Sequence, residues 1–180
     1  QVLARSVDGW IHVEDLGLAR GQLLQADDPS VTCVGLGPRG RLAVTLGSGP
    51  SPFLRFWDAQ QGHQHAALPL DSDYASGGLA AVLADDSKVV TAPLGGGRCH
   101  LWAAQGDLGR CALEGAPVAL AAHPTVLRFA VVTAAAVHIG AVDPQPQAAA
   151  LGVPAWFGAG NASFTCACAA SYAGGAMVLA

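Results

Sequence analysis

Histidine and cysteine side chains at two places in this sequence have the donor atoms for a metal site but lack the rest of one. His63 and His65 are separated by one residue, and no carboxylate or cysteine stands at ligand spacing beside them. Cys166 and Cys168 are too closely spaced for a zinc knuckle, and the chain has no matching second pair. Because structural zinc sites use four such ligands, we predict no metal site and no cofactor.

Residue types typical of catalysis also occur without the partners that they need. The glycine run 95–97 is not followed by Lys-Ser or Lys-Thr, so it does not match a phosphate-binding loop. No serine stands in a Gly-x-Ser-x-Gly segment. The acidic residues at 71–73 and 85–86 fall in predicted turns, where solvated carboxylates are expected and not a catalytic pair. We therefore predict a protein that is not an enzyme and has no catalytic residue.

The overall composition excludes several classes of partner. The net charge is −4 and Lys88 is the one lysine, so no basic stripe is available for nucleic acid. No apolar run reaches the ~18 residues that a membrane crossing needs. The cysteine count is odd, five, and most cysteines fall in predicted strands, which is typical of reduced thiols in an intracellular protein. With no secretion signal at Gln1 and no initiator Met, we interpret the chain as a cytoplasmic fragment of a longer polypeptide.

One short segment recurs along the chain and is its most informative feature. Residues 8–15, 52–58 and 97–103 each form a short apolar strand, and 135–140 is a weaker copy. The position held by Trp57 and Trp102 is held by Glu14 and Gly140 in the outer copies, so the repeat has a period of about forty residues. A turn such as 37–40, Gly-Pro-Arg-Gly, predicts a hairpin between the first two strands of a copy.

This period, with the Trp57-Asp58 pair at the end of a strand, resembles the WD40 family of β-propellers. The resemblance implies an all-β fold: a partial β-propeller of about four WD40-like, four-stranded antiparallel blades, with incomplete first and last blades. We expect half of a seven- or eight-blade ring. The expected blades are 1–29 (the end of a blade), 30–71, 72–115, 116–153 and 154–180 (the start of a blade).

The resemblance also assigns structural positions. Trp57, Asp58 and Trp102 occupy the Trp-Asp positions, but the Gly-His dipeptide of the family is missing from every copy. The hydrogen-bonded set that this His forms in the family therefore does not carry over, except for the two tryptophans as packing residues. We expect strand ladders and apolar stacking to hold the blades together. His12, His100 and His138 recur at equivalent places, which we interpret as a strand-surface position of the repeat.

The function that this resemblance implies is a non-enzymatic scaffold for protein–protein interactions. Partners would bind the rim loops, with Arg39, Arg55, Trp156 and Phe157 as candidate anchors, and the remainder of the propeller would be a further partner. A ciliary or centriolar, microtubule-associated assembly is one setting, and the sensor propeller of a NACHT- or apoptosome-type ATPase is the alternative. A propeller hydrolase or lectin is disfavoured, because the inner strands are too apolar for a carboxylate or metal cluster.

Overall fold

A computed structural model describes the backbone of residues 2–7, 10–15, 20–25, 30–142, 146–152, 169–171 and 177–179, and the side chains of residues 30–142. These residues form seventeen strands and one turn of 3-10 helix, Ser72–Ser76. The strands lie in five antiparallel sheets, each built from strands that follow one another in sequence. The prediction of an all-β fold made of four-stranded antiparallel blades, with incomplete blades at both ends, is confirmed.

In the part of the chain that the structure describes, three of the five sheets have four strands, the first has three and the last has two. The first sheet contains β1 (Val2–Val7), β2 (Trp10–Asp15) and β3 (Arg20–Gln25). The second contains β4 (Val31–Leu36), β5 (Leu42–Gly47), β6 (Phe53–Asp58) and β7 (His63–Pro69). The third contains β8 (Gly78–Val82), β9 (Lys88–Pro93), β10 (Arg98–Ala103) and β11 (Gly106–Ala112). The fourth contains β12 (Pro117–Ala122), β13 (Arg128–Thr133), β14 (Ala136–Val142) and β15 (Pro146–Gly152), and the fifth β16 (Ala169–Ser171) and β17 (Met177–Leu179).

Two strands were missed by the sequence prediction. Strand β1 pairs along its whole length with β2, although its mixture of apolar and charged residues gives no clear alternation. Strand β15 begins at Pro146, although prolines at 144 and 146 are more typical of a loop than of a strand. Proline is tolerated at the first residue of a strand, where its missing N–H interrupts little of the ladder.

Neighbouring sheets contact each other through the same strands each time. The first strand of each four-stranded sheet contacts the first strand of the next, β4 with β8 and β8 with β12. It also contacts the second strand of the preceding sheet in the pairs β5 with β8 and β9 with β12. In the three-stranded first sheet, the corresponding contact is that of the first strand, β1, with β4. The repetition of one contact pattern across three boundaries is the stacking expected of consecutive propeller blades.

The core consists of apolar layers between the sheets. Side chains of the second sheet pack with Val82, Val89 and Trp102 of the third. On the other face of the third sheet, Val90 packs with Phe129 of the fourth, among the neighbouring side chains. Because successive side chains of a strand point to opposite faces, the buried strand β9 contributes to both layers. The third sheet is thus covered on both faces, which explains the low charge of its strands.

Candidate functional site

The strand register places the repeated positions of the sequence at one structural position. In each of the first four sheets, one residue of the preceding strand lies opposite the tryptophan position. The tryptophan position lies on β2, β6, β10 and β14, and the opposing residue lies on β1, β5, β9 and β13. The four opposed pairs are Glu14 with Leu3, Trp57 with Ala43, Trp102 with Val89, and Gly140 with Phe129. The repeat alignment inferred from the sequence is therefore the alignment of the sheets.

Both tryptophans are buried and hydrogen-bonded within their own sheet. Trp57 is 3% exposed and donates its indole N–H to the Thr45 hydroxyl at 3.1 Å. Trp102 is 7% exposed and donates in the same way to Thr91 at 2.8 Å. The sequence predicted these tryptophans as packing residues alone, and the structure adds a polar tie from the third strand to the second. The signal was present in the sequence, since a threonine stands at the same place of both second strands.

A third side chain joins the pair in the third sheet. Tyr74, in the 3-10 turn that leads into this sheet, lies with its hydroxyl 2.5 Å from that of Thr91. Asp71 caps this turn by accepting the N–H of Asp73 at 3.2 Å. Burial raises the pKa of Tyr74, so its hydroxyl stays protonated. The connection from the second sheet is thereby fastened to the buried Trp102–Thr91 pair.

His100 completes the surroundings of this network. Its ring stacks on Trp102 with centroids 5.6 Å apart and meets Tyr74 edge-on at 5.8 Å. The side chain is 2% exposed, and neither ring nitrogen has a hydrogen-bond partner within residues 30–142. The Asp107 carboxylate lies 3.9 Å from Nδ1. Burial lowers the pKa of His100, so the ring is held neutral in a largely apolar site.

The interpretation of His100 and His138 as strand-surface residues is wrong, because both are buried. His138 accepts the N–H of Glu114 through Nε2 at 3.2 Å, and Thr133 donates its hydroxyl to the Glu114 carbonyl at 2.6 Å. These two residues hold the chain as it enters the fourth sheet, much as Tyr74 is held at the third. The side chain of His12 lies outside the described residues.

In the fourth sheet the aromatic residue lies on the second strand, β13, and not on the third strand as in the second and third sheets. Gly140 occupies the tryptophan position, and a Cβ placed there would lie 2.1 Å from Cζ of Phe129. The phenyl ring therefore fills the space above residue 140. Val131 stands where Thr45 and Thr91 stand in the other sheets. Both members of the polar tie are thus absent here.

Asp58, the acidic partner of Trp57, stabilises the turn after β6. Its carboxylate accepts the N–H groups of Gln60 and Gln61, both at 2.8 Å. These backbone hydrogen bonds lower the pKa of Asp58, which keeps the side chain ionised.

A second acidic residue links two sheets. Asp86, in the turn between β8 and β9, accepts the backbone N–H groups of Arg39 at 3.3 Å and Arg41 at 3.0 Å. Its φ is +54°, and it is the only residue other than glycine with a positive φ among those described. A Cβ at Gly37 would lie 2.3 Å from its carboxylate, so glycine is needed there for the acid to reach the turn.

The predicted anchor residues do not form one surface. Arg39 is exposed in the turn after β4, whereas Arg55 lies half-buried within β6 with its guanidinium 5.5 Å from the Phe53 ring centroid. Trp156 and Phe157 lie outside the described residues. His63 and His65 are exposed on β7, and no group of three or more potential metal ligands occurs within residues 30–142.

A groove of about 600 Å³ runs between the second and third sheets. Its floor is apolar, and its rim is polar; Leu108 is 47% exposed at this groove. The lining residues are Arg41, Leu42, Phe56, Trp57, Asp58 and His65 on one side, and Asp86, Ser87, Lys88, Ala103, Ala104, Gln105 and Leu108 on the other. Sequence reasoning missed the groove, because its two walls come from different copies of the repeat.

The charged side chains at the rim of the groove differ in whether they already form ion pairs or hydrogen bonds with described residues. Lys88 forms an ion pair with Asp85. Asp58 and Asp86 each accept backbone N–H groups. The side chains of Lys88, Asp58 and Asp86 are therefore held in place by these partners. Arg41 is exposed, and no carboxylate within residues 30–142 lies at ion-pair distance from its guanidinium. An unpaired guanidinium and an exposed leucine at one groove can bind a carboxylate and an apolar side chain of a partner.

A smaller cavity of about 250 Å³ lies where the first strands of three sheets meet. Its walls include Gly35, Ala80, Ala121 and the ring of His123. His123 accepts the N–H groups of Thr125 and Val126 through Nδ1, both at 3.2 Å, so it stabilises a turn. Among residues 30–142, none that lines this cavity carries a carboxylate side chain.

No family model matches this sequence, and its comparison with curated proteins gives no match. Within the described residues, the structure has no helix with the length and apolar character needed to cross a membrane.

Proposed function

We propose that this chain is a non-enzymatic scaffold, part of a WD40-like propeller, that binds a protein partner in the groove between the second and third sheets. The observation that carries the proposal is the combination at one groove of an apolar floor, the exposed Leu108 and the exposed Arg41, whose guanidinium forms no ion pair with the side chains of residues 30–142. Interfaces in general have an apolar centre and a polar rim, and a few arginine or large apolar anchors contribute most of their affinity.

The rigid surroundings of the groove support this function. Leu42, Phe56 and Trp57 are buried in the strands of the second sheet, so one wall is fixed before a partner arrives. The link from Asp86 to the Arg39–Arg41 turn sets the position of the opposite wall. A preformed groove lowers the entropy cost of binding. The occupant that fits is an extended peptide segment with an acidic and an apolar side chain.

We further propose a cytoplasmic setting in a large assembly, with a ciliary or centriolar one as the working hypothesis. The support for this setting is the WD40 resemblance of the repeats and the five cysteines of the chain. The remainder of the propeller would be a further partner of the chain.

Site-specific photo-crosslinking in the parent protein, expressed in its own cells, tests the groove. A photoreactive residue at Gln105 lies in the groove, and one at the exposed Ser76 lies at the opposite end of the third sheet as the control. We expect one polypeptide to be captured from position 105 and not from 76. The substitutions Arg41→Glu and Leu108→Asp should each reduce capture about tenfold or more, as loss of a binding anchor does. The proposal would be contradicted if the same amount of this polypeptide were captured from both positions, or if neither substitution reduced the amount captured from position 105.

A further inference from the structure

Cys99 and Cys111 lie directly opposite each other on the neighbouring strands β10 and β11. Residues opposed in an antiparallel pair point to the same face of the sheet, so the two thiols are neighbours. Both contact the apolar layer between the third and fourth sheets. In contrast, Cys33 is opposed by Leu46, and its thiol faces the carbonyl of Ala80 at 3.9 Å.

The backbone at this pair is close to what a disulfide requires. The N–H of Leu113 donates to the carbonyl of Gly97 at 2.8 Å, two residues beyond the cysteines on each strand. Because hydrogen-bonded pairs alternate along an antiparallel ladder, Cys99 and Cys111 form such a pair, for which the Cα atoms are about 5.5 Å apart. This distance lies inside the range of natural disulfides, whereas the Cβ atoms would have to approach by about 1 Å. A bond formed here is therefore strained and readily reduced.

The two thiols differ in access. Cys99 is 2% exposed and packs among residues that include Leu101 and Phe129. Cys111 is half-buried on the outer strand of the sheet. Burial raises the pKa of Cys99 to about 12, and the neighbouring Cys111 adds to the rise. A reagent from solution therefore meets Cys111 first, because the thiolate of an accessible cysteine is the nucleophile.

We propose that Cys99 and Cys111 are a redox modification site that forms a reversible cross-strand disulfide by exchange with a low-molecular-weight disulfide such as oxidised glutathione. The Cys111 sulfur attacks one sulfur of the reagent, breaks its S–S bond and releases one thiol. The Cys99 sulfur then attacks the Cys111 sulfur of the mixed disulfide and releases the second thiol. The two protons of the cysteines end on the two released thiols, so the protein is oxidised by two electrons and the reagent is reduced by two.

The disulfide would link the outermost strand of the third sheet, β11, covalently to β10. Both of its cysteines contact the apolar layer between the third and fourth sheets. Before oxidation, β11 is held to β10 by ladder hydrogen bonds interrupted by a register shift at Leu101/Trp102. The disulfide lies on the other side of this irregularity from the β10–β11 turn. It therefore fixes the half of β11 that is farther from the groove residue Leu108.

Proteolysis after alkylation tests the site directly. The folded chain is equilibrated in buffers with graded ratios of reduced to oxidised glutathione, then acid-quenched, alkylated and digested with trypsin without reduction. Trypsin cleaves after Arg98 and Arg110, so Cys99 and Cys111 fall in separate peptides, 99–110 and 111–128. After cleavage at Arg110 only a disulfide can join them, and the mass of the joined pair differs from that of an uncleaved 99–128 peptide with two alkylated cysteines. We expect the joined peptide to accumulate as oxidised glutathione increases and to disappear on return to reduced glutathione.

Matched variants separate the steps. Cys99→Ser should retain a glutathione adduct on Cys111, because the second attack is lost. Cys111→Ser should leave Cys99 unmodified in the folded chain, and Cys33→Ser should leave the joined fraction unchanged. A stable glutathione adduct on Cys111 of the unsubstituted chain, without the joined peptide, would overturn the proposal. So would oxidation of Cys99 in the Cys111→Ser variant at the rate of the unsubstituted chain.

Discussion

The ring of Phe129 covers Gly140 from the opposite strand, so that the glycine and the phenylalanine together fill the volume that a tryptophan fills in the second and third sheets. A Cβ at residue 140 would lie 2.1 Å from Cζ of this ring. In the second and third sheets the aromatic residue stands on the third strand, with Ala43 or Val89 opposite it. In the fourth sheet the large residue is therefore on the second strand and the small residue on the third, the reverse of the second and third sheets. The layer is filled in both arrangements.

Substitution of Gly140 by alanine should lower the free energy of unfolding by about 1–3 kcal/mol, the usual cost of overpacking a well-filled core. Urea unfolding followed by circular dichroism measures this loss. In a Phe129→Leu background the same substitution should cost less, because the smaller side chain vacates the space. Gly95→Ala is the control: its Cβ would meet only the Asp73 carbonyl, at 3.8 Å, and its effect should stay within about 0.5 kcal/mol. An equal loss in both backgrounds would show that the ring is not the obstacle.

The threonine acceptors of the tryptophans should differ in importance. Thr45→Val leaves one buried donor, the Trp57 indole N–H, without its acceptor, which costs about 1–3 kcal/mol. Thr91→Val should cost more, because Thr91 serves both Trp102 and Tyr74. Thr32→Val is the control: Thr32 is exposed and donates its hydroxyl to the Leu46 carbonyl in a hydrogen bond of 3.3 Å, and water can replace this partner, so the expected change is within about 0.5 kcal/mol. If Thr91→Val proved no more costly than Thr32→Val, the buried network would contribute nothing to stability.

The chain should lose stability as the pH falls below the ordinary pKa of histidine. Burial lowers the pKa of His100 from 6.5, whereas Asp107 and Asp71 raise it, and Arg110 and Arg98 lower it further. Since the unfolded chain takes up the proton first, the His100 contribution is complete above about pH 6.5. Below about pH 6.5 the free energy of unfolding falls, by at most about 1.4 kcal/mol per pH unit for one proton.

Denaturant unfolding at pH 7.5, 6.5 and 5.5 measures this dependence. His100→Leu should flatten it, and the exposed His63→Gln should leave it as it is. Asp107→Asn should steepen the loss, because the carboxylate that favours protonated His100 is removed. A His100→Leu profile that superimposes on the original profile would contradict the assignment.

The link between the second and third sheets should depend on the carboxylate of Asp86. Asp86→Ala removes two acceptors for backbone N–H groups and places alanine at φ +54°, so we expect a loss of about 1–2 kcal/mol. Asp86→Asn keeps one acceptor oxygen and tolerates a positive φ, so it should cost less. Thermal unfolding of the two variants measures the difference. A larger loss in the asparagine variant would exclude the hydrogen bonds as the cause.

The sequence was sufficient to predict the repeated sheets and the positions of Trp57 and Trp102, because apolar strands and turn residues recur at one period. It was insufficient for β15, because prolines at 144 and 146 are typical of a loop, whereas Pro146 is the first residue of a strand. The exchange between Phe129 and Gly140 required the strand register, which neither residue reveals by itself. The groove at Leu108 was beyond prediction, because it forms between residues of two copies that are far apart in sequence.

The contacts of each of the first four sheets with its immediate neighbours among them have a thermodynamic consequence. If stability is passed only from one sheet to the next, a lesion at a single boundary divides the molecule into two cooperative units that melt separately. The boundary that Asp86 bridges also forms the two walls of the groove. A partner bound in the groove would contact both units and couple their unfolding. As the groove becomes occupied, the two separate unfolding transitions should therefore merge into one.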